Sequence, residues 1–275
     1  MNKLTAKLLI WHGVVAVGVW GLFSLKDSFQ VNSVTGFDIN LPSFGWFLWT
    51  VAFIGLGYIL FSNEADHAHL IGGHRILSFT ISLIVGILFL VGFGYTWLNL
   101  LAVIIFWLCN VWSQERAVSE VTQRVKINMM RMLSLTLMPV VLGFFVIASF
   151  AAYQSNFADQ IKDSKKLPSQ AEVFFQNAID TMFGSNLGPD NSKQRQVAVN
   201  TVAAGTFQSI NLFLRPYFQW APPLVAFGLF LVLWGLSWIF VYAAMILALF
   251  IFWVLKKTKM VRIEERDVKA EVLVI

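Results

Sequence analysis

The sequence predicts an all-α polytopic membrane protein with six transmembrane helices, and three observations lead to this fold class. Apolar residues make up 57% of the 275 residues and charged residues 13%, whereas a soluble domain averages about 45–50% and about 25%. Long apolar runs recur, and a run of about 18 or more residues can cross roughly 30 Å of hydrocarbon as a helix. Lysine and arginine cluster beside these runs, where they orient a chain in the membrane.

The first 152 residues predict spans one to five. Span one covers 8–24 and span two covers 45–61, with a polar loop between them. As one helix, the apolar run 76–112 would be about 55 Å long at 1.5 Å per residue, far longer than the bilayer core. We therefore divide it into spans three and four at "GFGYTW", 92–97, where glycines and interfacial aromatics suit a hairpin. Span five covers 132–152.

Two cytoplasmic loops, 62–75 and 113–131, are predicted between these spans. The second loop is charged and carries apolar residues at helical spacing, among them Val118, Val121 and Val125. Such a stretch can lie on the membrane surface, or it can extend spans four and five into the cytoplasm. We favour the extension, because the helical pattern continues directly from span four.

The region 153–220 predicts an extracytoplasmic helical hairpin between spans five and six. Its first helix begins at "SQAE", 169–172, which fits a capping box in which a serine and a glutamate satisfy each other's backbone amides. The turn "GSNLGPDN", 184–191, follows, and a second helix is expected over 193–214. The apolar faces of both helices need a cover, which could be each other, the membrane surface or a neighbouring subunit.

The final apolar run, 221–255, predicts one long transmembrane helix. A division near "GLSW" would leave only about 14 residues on one side, which is too short for an ordinary span. Pro222 and Pro223 suit the first helical turn, where a missing backbone N–H breaks no hydrogen bond.

The distribution of basic residues predicts that both termini are cytoplasmic. With the N-terminus inside, the cytoplasmic segments carry 13 lysines and arginines, and the outside segments carry seven. Six of those seven lie in the long region 153–220, and long loops contribute little to orientation. An odd number of spans would contradict this prediction.

The cytoplasmic tail, 256–275, changes period. Val268, Ala270, Val272 and Val274 alternate with other residues, which is typical of a β-strand. A lone strand leaves its backbone groups unpaired, so the pattern predicts pairing with another copy, another protein or the tail itself. The alternative is a disordered tail.

The stretch "NEADHAHLIGGHR", 63–75, holds three of the four histidines and suggests a metal site. On a helix His69 would point nearly opposite to the other two, so convergence needs a turn at the glycines. A site would require two of these imidazoles, together with His12 or Asp66, within about 4 Å of a common point. The alternative is a polar cytoplasmic loop. The candidate ligands are His67, His69 and His74, with Asp66 and the more distant His12.

Function is constrained mainly by what the sequence lacks. It contains no nucleotide-binding fingerprint, no protease signature and no acidic or basic residue deep inside a span. We therefore expect a non-enzymatic protein of the inner or plasma membrane without a cofactor. Its expected partners are the lipid bilayer and either further copies or another membrane protein, and nucleic acid is not expected.

Three functional hypotheses remain open at this point. The chain could be a structural or assembly component of the envelope, or a metalloprotein that uses the histidines. It could also form a pore from several copies, which would need a polar lumen. The candidate lumen residues are Thr80, Ser82, Asn99 and Thr136.

Overall fold

The computed structural model describes the chain over residues 3–24, 41–62, 73–123, 128–154, 162–163, 176–177 and 193–261. The chain forms two units. The first, here called the bundle, comprises Met1–Leu25, Leu41–Ile147 and Val232–Ile275, and the second comprises Lys26–Asn40 and Ala148–Leu231.

The described residues are almost entirely helical and contain no strand, which confirms the predicted all-α class. Most of the tail in which a β pattern was predicted, 262–275, lies outside the described residues, as does the first predicted helix of the hairpin beyond two residues. The helices are α1 (Lys3–Ser24), α2 (Leu41–Leu60), α3 (Gly73–Phe93), α4 (Trp97–Gln123), α5 (Met129–Tyr153), α6 (Lys193–Leu214), a 3-10 helix (Arg215–Trp220), α7 (Ala221–Gly235) and α8 (Ser237–Lys257).

Seven helical segments of the described chain are long and apolar enough to cross a membrane, so this is a multi-pass membrane protein. Helices α1 to α5 correspond to the predicted spans one to five. The predicted division at 92–97 is present, because α3 ends at Phe93 and α4 begins at Trp97. Gly94 has a φ of 88°, a conformation that glycine adopts without strain. The Asn99 amide donates to the Gly94 carbonyl at 2.7 Å and closes the turn.

Helix α4 continues past the apolar part of span four to Gln123. The charged stretch that begins at residue 113 is therefore, over its first 11 residues, a helical extension of span four, as the favoured interpretation expected. Its position on the cytoplasmic side stays a prediction.

The segment 221–255 differs from the expected single helix. Helix α7 ends at Gly235, Leu236 lies between the helices, and α8 begins at Ser237. The break falls within "GLSW". A division at this place was rejected from the sequence because the part of 221–255 before it is too short for a span. In the structure α7 does not stand alone. The helix α6, the 3-10 helix and α7 follow one another without a gap, so the helical segment before the break is much longer than α7. Val199–Gly235 thus forms one apolar segment of 37 residues.

The contacts of α1 show how the first three helices are arranged. The Trp11 indole N–H donates to the Phe53 carbonyl at 3.1 Å, and its ring lies 5.7 Å from that of Phe61 at the end of α2. Helices α1 and α2 are therefore antiparallel. His12 and Thr80 meet near the beginnings of α1 and α3, so these two helices run in the same direction.

Helices α4 and α5 continue the alternation of helix direction along the chain. Ser113 bonds to Thr136, and the Phe106 and Phe144 rings lie 4.9 Å apart, so α4 and α5 are antiparallel. We call the end of the bundle where α1, α3 and α5 begin the charged end. The opposite end, where α2 begins, is called the aromatic end.

A cluster of phenylalanines at the aromatic end places the start of α8. Phe240, in its first turn, lies 5.7 Å from Phe44 and 5.5 Å from Phe47, in the first turns of α2. It also lies 5.1 Å from Phe145, near the end of α5. Burial continues along α8 as far as Ala248, so this helix packs within the bundle and runs toward the charged end.

The phenylalanine cluster around Phe240 constrains how many times the chain between α5 and α8 can cross the membrane. The chain leaves α5 and enters α8 at the same end of the bundle. If the bundle spans the bilayer, the chain between these helices crosses an even number of times or not at all. Both termini of the bundle then lie on one side, although seven helices qualify as spans by length. The six-span topology and the cytoplasmic location of the termini stay predictions.

Single cysteines can test this arrangement in a Cys109→Ser background. We expect Thr5→Cys and Thr258→Cys, both at exposed positions of the charged end, to react with an impermeant maleimide only in inverted vesicles. The control is Tyr95→Cys, in the turn at the aromatic end, where the native side chain is 73% exposed. It should react only in spheroplasts. Labelling of Thr5→Cys and Thr258→Cys from opposite sides would contradict the placement of α8.

Gly57 tests the close contact between α1 and α2. A Cβ at Gly57 would collide with the indole nitrogen of Trp11, whereas a Cβ at Gly13 meets nothing within 4 Å. We expect Gly57→Ala to lower the free energy of unfolding by about 1–3 kcal/mol, as overpacking does. Gly13→Ala, the matched control, should be neutral or stabilising by about 0.5–1 kcal/mol. Denaturant unfolding in detergent micelles measures both, and equal effects would argue against the contact.

Candidate functional site

The charged end contains a set of buried polar side chains that connect the helices. Tyr58 and Asn110 are both completely buried, and the Tyr58 hydroxyl donates to Asn110 Oδ1 at 2.7 Å. Asn110 Nδ2 in turn donates to the Phe106 carbonyl of its own helix at 2.9 Å. The amide oxygen of Asn110 thus bonds to α2, and its amide nitrogen bonds to the backbone of α4.

Two further residues extend this contact from the same face of α4. The Ser113 hydroxyl donates to the Thr136 carbonyl on α5 at 2.7 Å. The Gln114 Oε1 accepts the backbone N–H of Ser78 on α3 at 2.9 Å. Residues three and four apart lie on one face of a helix, so Asn110, Ser113 and Gln114 together form a polar face. We call these three residues the α4 polar face; it bonds to α2, α3 and α5.

Sequence reasoning found only part of this arrangement. Of the residues in these contacts, Thr136 was singled out from the sequence, as a candidate lumen residue. Tyr58, Ser113 and Gln114 were missed, although the spacing "NVWSQ" places two further polar residues on the Asn110 side of the helix. That spacing was the available signal, and it indicates helix packing.

His12 is engaged at both ring nitrogens. Its Nδ1 lies 2.7 Å from the Leu8 carbonyl, and its Nε2 lies 2.8 Å from the Thr80 hydroxyl. A carbonyl oxygen only accepts, so Nδ1 carries a proton in this contact. Neither nitrogen offers a free lone pair to a metal ion while these bonds are made. The contact therefore joins α1 to α3.

The structure does not test the predicted metal site, because most of its candidate ligands lie outside the described residues. His67, His69 and Asp66 lie outside the described residues, and His74 is described only as backbone in the first turn of α3. Within the described part of the chain, no group of three or more histidines, cysteines or acidic residues could hold a metal ion. The metal hypothesis stays a prediction about the loop 62–75.

Three of the four candidate lumen residues are hydrogen-bonded to other groups of the protein, and the fourth is buried. Thr80 bonds to His12, Asn99 closes the turn after α3, and the Thr136 hydroxyl donates to the Met132 carbonyl at 2.7 Å. Ser82 is 3% exposed, and its hydroxyl has no hydrogen-bond partner among the described residues. In one copy of the chain, Ser82, Asn99 and Thr136 are therefore buried.

The fold and the buried contacts define a multi-pass α-helical membrane protein whose polar groups bond between helices. No family model, curated protein or solved structure matches the chain.

A double-mutant cycle tests the Tyr58–Asn110 bond. Tyr58→Phe leaves the Asn110 oxygen buried without its donor, so we expect unfolding free energy to fall by about 1–3 kcal/mol. The double variant Tyr58→Phe with Asn110→Leu should lose less than the sum of the single changes. A coupling energy of about 0.5–2 kcal/mol is expected for hydrogen bonds between membrane helices. Strict additivity in detergent unfolding would show that the two side chains do not interact.

Proposed function

We propose that this chain is a non-enzymatic structural or assembly component of the plasma membrane, acting with further copies of itself or with another membrane protein. The observation that carries the proposal is the use of the buried polar groups. Tyr58, Asn110, Ser113 and Gln114 bond across helices inside the bundle, and this is how a stable scaffold uses polar residues in hydrocarbon.

The distribution of charge supports a scaffold over an ion-coupled transporter. Coupled transporters place ionisable groups inside their spans, facing a pathway. In the bundle, the described lysine, arginine and acidic side chains all lie at the charged end, and none lies in the middle of a span. The described interior relies on amides, hydroxyls, an indole and an imidazole instead.

The segment Val199–Gly235 supports assembly with a partner. Together with the start of α6, the helical segment from residue 193 would be about 65 Å long if straight, about twice the hydrocarbon thickness. It carries many exposed apolar side chains, so lipid alone cannot cover its whole length. Those with half or more of their surface exposed include Leu212, Phe213, Tyr217, Leu224 and Phe227.

Assembly is tested on the full chain extracted from its native membrane in a mild detergent. We expect a stable complex, of copies or with a second protein, in native gels and after chemical crosslinking. Phe213→Ala combined with Phe227→Ala should weaken the complex, because their side chains are 72% and 61% exposed. The matched control is Ile87→Ala, 52% exposed on α3, which should leave it intact. A monomer without a copurifying protein would refute the proposal.

Two further measurements separate this function from the other hypotheses. The purified chain in liposomes should conduct no ions; a flux would support a pore made of several copies. Elemental analysis should find no stoichiometric metal. A metal that is lost when His67, His69 and His74 are changed to alanine would support the metalloprotein hypothesis instead.

A further inference from the structure

The bundle has a strong charge asymmetry. Every charged side chain that the structure describes in the bundle lies at the charged end, and six of these residues are cationic against two acidic. The cations are Lys7, Arg116, Arg131, Lys256, Lys257 and Lys259, and the carboxylates are Glu115 and Glu120.

Arg116 is placed unusually among these cations. Its guanidinium carbon lies 4.6 Å from the centre of the Trp112 ring, within range of a cation–π contact. The structure gives Arg116 no carboxylate partner among the described residues. Helix α4 continues to Gln123, so Arg116 lies before the last turn and does not satisfy the terminal carbonyls. Within the part of the chain that the structure describes, its charge is therefore held against the Trp112 ring without a compensating carboxylate.

Trp112 indicates that this depth is the membrane interface. Its side chain is 42% exposed, on the outside of a helix whose preceding turns are apolar. Tryptophan prefers the level of the lipid headgroups, where its ring is apolar and its N–H is polar. A guanidinium stacked on such a ring keeps its N–H edge free for two parallel bonds to a phosphate.

The same arrangement recurs on α8. The Lys257 amine lies 5.1 Å from the centre of the Trp253 ring, and Trp253 is 56% exposed. This lysine is also in the last turn of α8, where a cation stabilises the helix end without any ligand. Lys257 is therefore the weaker indication of a lipid contact, and Arg116 is the stronger one.

We propose that Trp112 with Arg116, and Trp253 with Lys257, bind the phosphate of anionic lipid headgroups in the leaflet at the charged end. Arg131 provides the contrast. It lies at the same end with its side chain 57% exposed, but its guanidinium is 4.0 Å from the Glu120 carboxylate. Its charge is already compensated within the protein, so it should add little to lipid selection.

The test compares lipid retention by the full chain in mixed vesicles of phosphatidylglycerol and phosphatidylcholine. After mild delipidation, native mass spectrometry counts each lipid still bound. We expect wild type to retain phosphatidylglycerol preferentially. Arg116→Gln should lower that preference about fivefold, the factor equivalent to roughly 1 kcal/mol per basic residue at an anionic surface. Arg131→Gln, the matched control, should leave it unchanged.

Further variants make the outcome decisive. Trp112→Leu keeps the charge but removes the ring, and it should lower the preference by a smaller factor than Arg116→Gln. Lys257→Gln should act independently, which keeps the test valid if one variant fails to fold in a thermal unfolding control. Inorganic phosphate in excess should not displace the lipid. Equal losses for Arg116→Gln and Arg131→Gln, no preference in wild type, or displacement by phosphate would each overturn the proposal.

Discussion

The bundle depends on the requirement that most polar groups in hydrocarbon find a partner within the protein. Water is absent there, and an unpaired group costs several kcal/mol by rough estimate. The α4 polar face meets this requirement by bonding to three neighbouring helices at once. Because the directions of these bonds are specific, they also set the register of α4 against α2, α3 and α5. Apolar packing alone does not specify register so strictly, since lipid tails are as apolar as leucine.

Close packing then fills the space around these bonds. Gly57 and Gly21 leave room for indole rings: a Cβ at either position would collide with Trp11 or Trp46. The close approach of Trp11 to Gly57 also lets the Trp11 indole N–H reach the Phe53 carbonyl. At the aromatic end, the phenylalanine rings around Phe240 hold the start of α8 between α2 and α5. The bundle is thus bonded through polar groups at the charged end and packed through aromatic rings at the other.

Sequence reasoning located most helices because their signals are local. An apolar run, a polar loop and the "GFGYTW" turn each depend on a few neighbouring residues, and α1 to α5 appear where they were predicted. The same reasoning expected one helix over 221–255, because it assumed that the preceding polar region could not belong to a span. The continuity of α6, the 3-10 helix and α7 is a property of about 43 residues together, and no short pattern indicates it.

The sequence by itself determined the class of the protein and the positions of α1 to α5. Those properties follow from composition and from the 3.6-residue period, which are local. Only the tertiary structure decided which polar residues meet. It paired His12 with Thr80, and Tyr58 with Asn110 across 52 positions of the chain. It also placed the start of α8 beside the end of α5. Such pairings depend on how helices distant in sequence pack, and that packing is chosen by the shape and hydrogen bonding of the whole bundle.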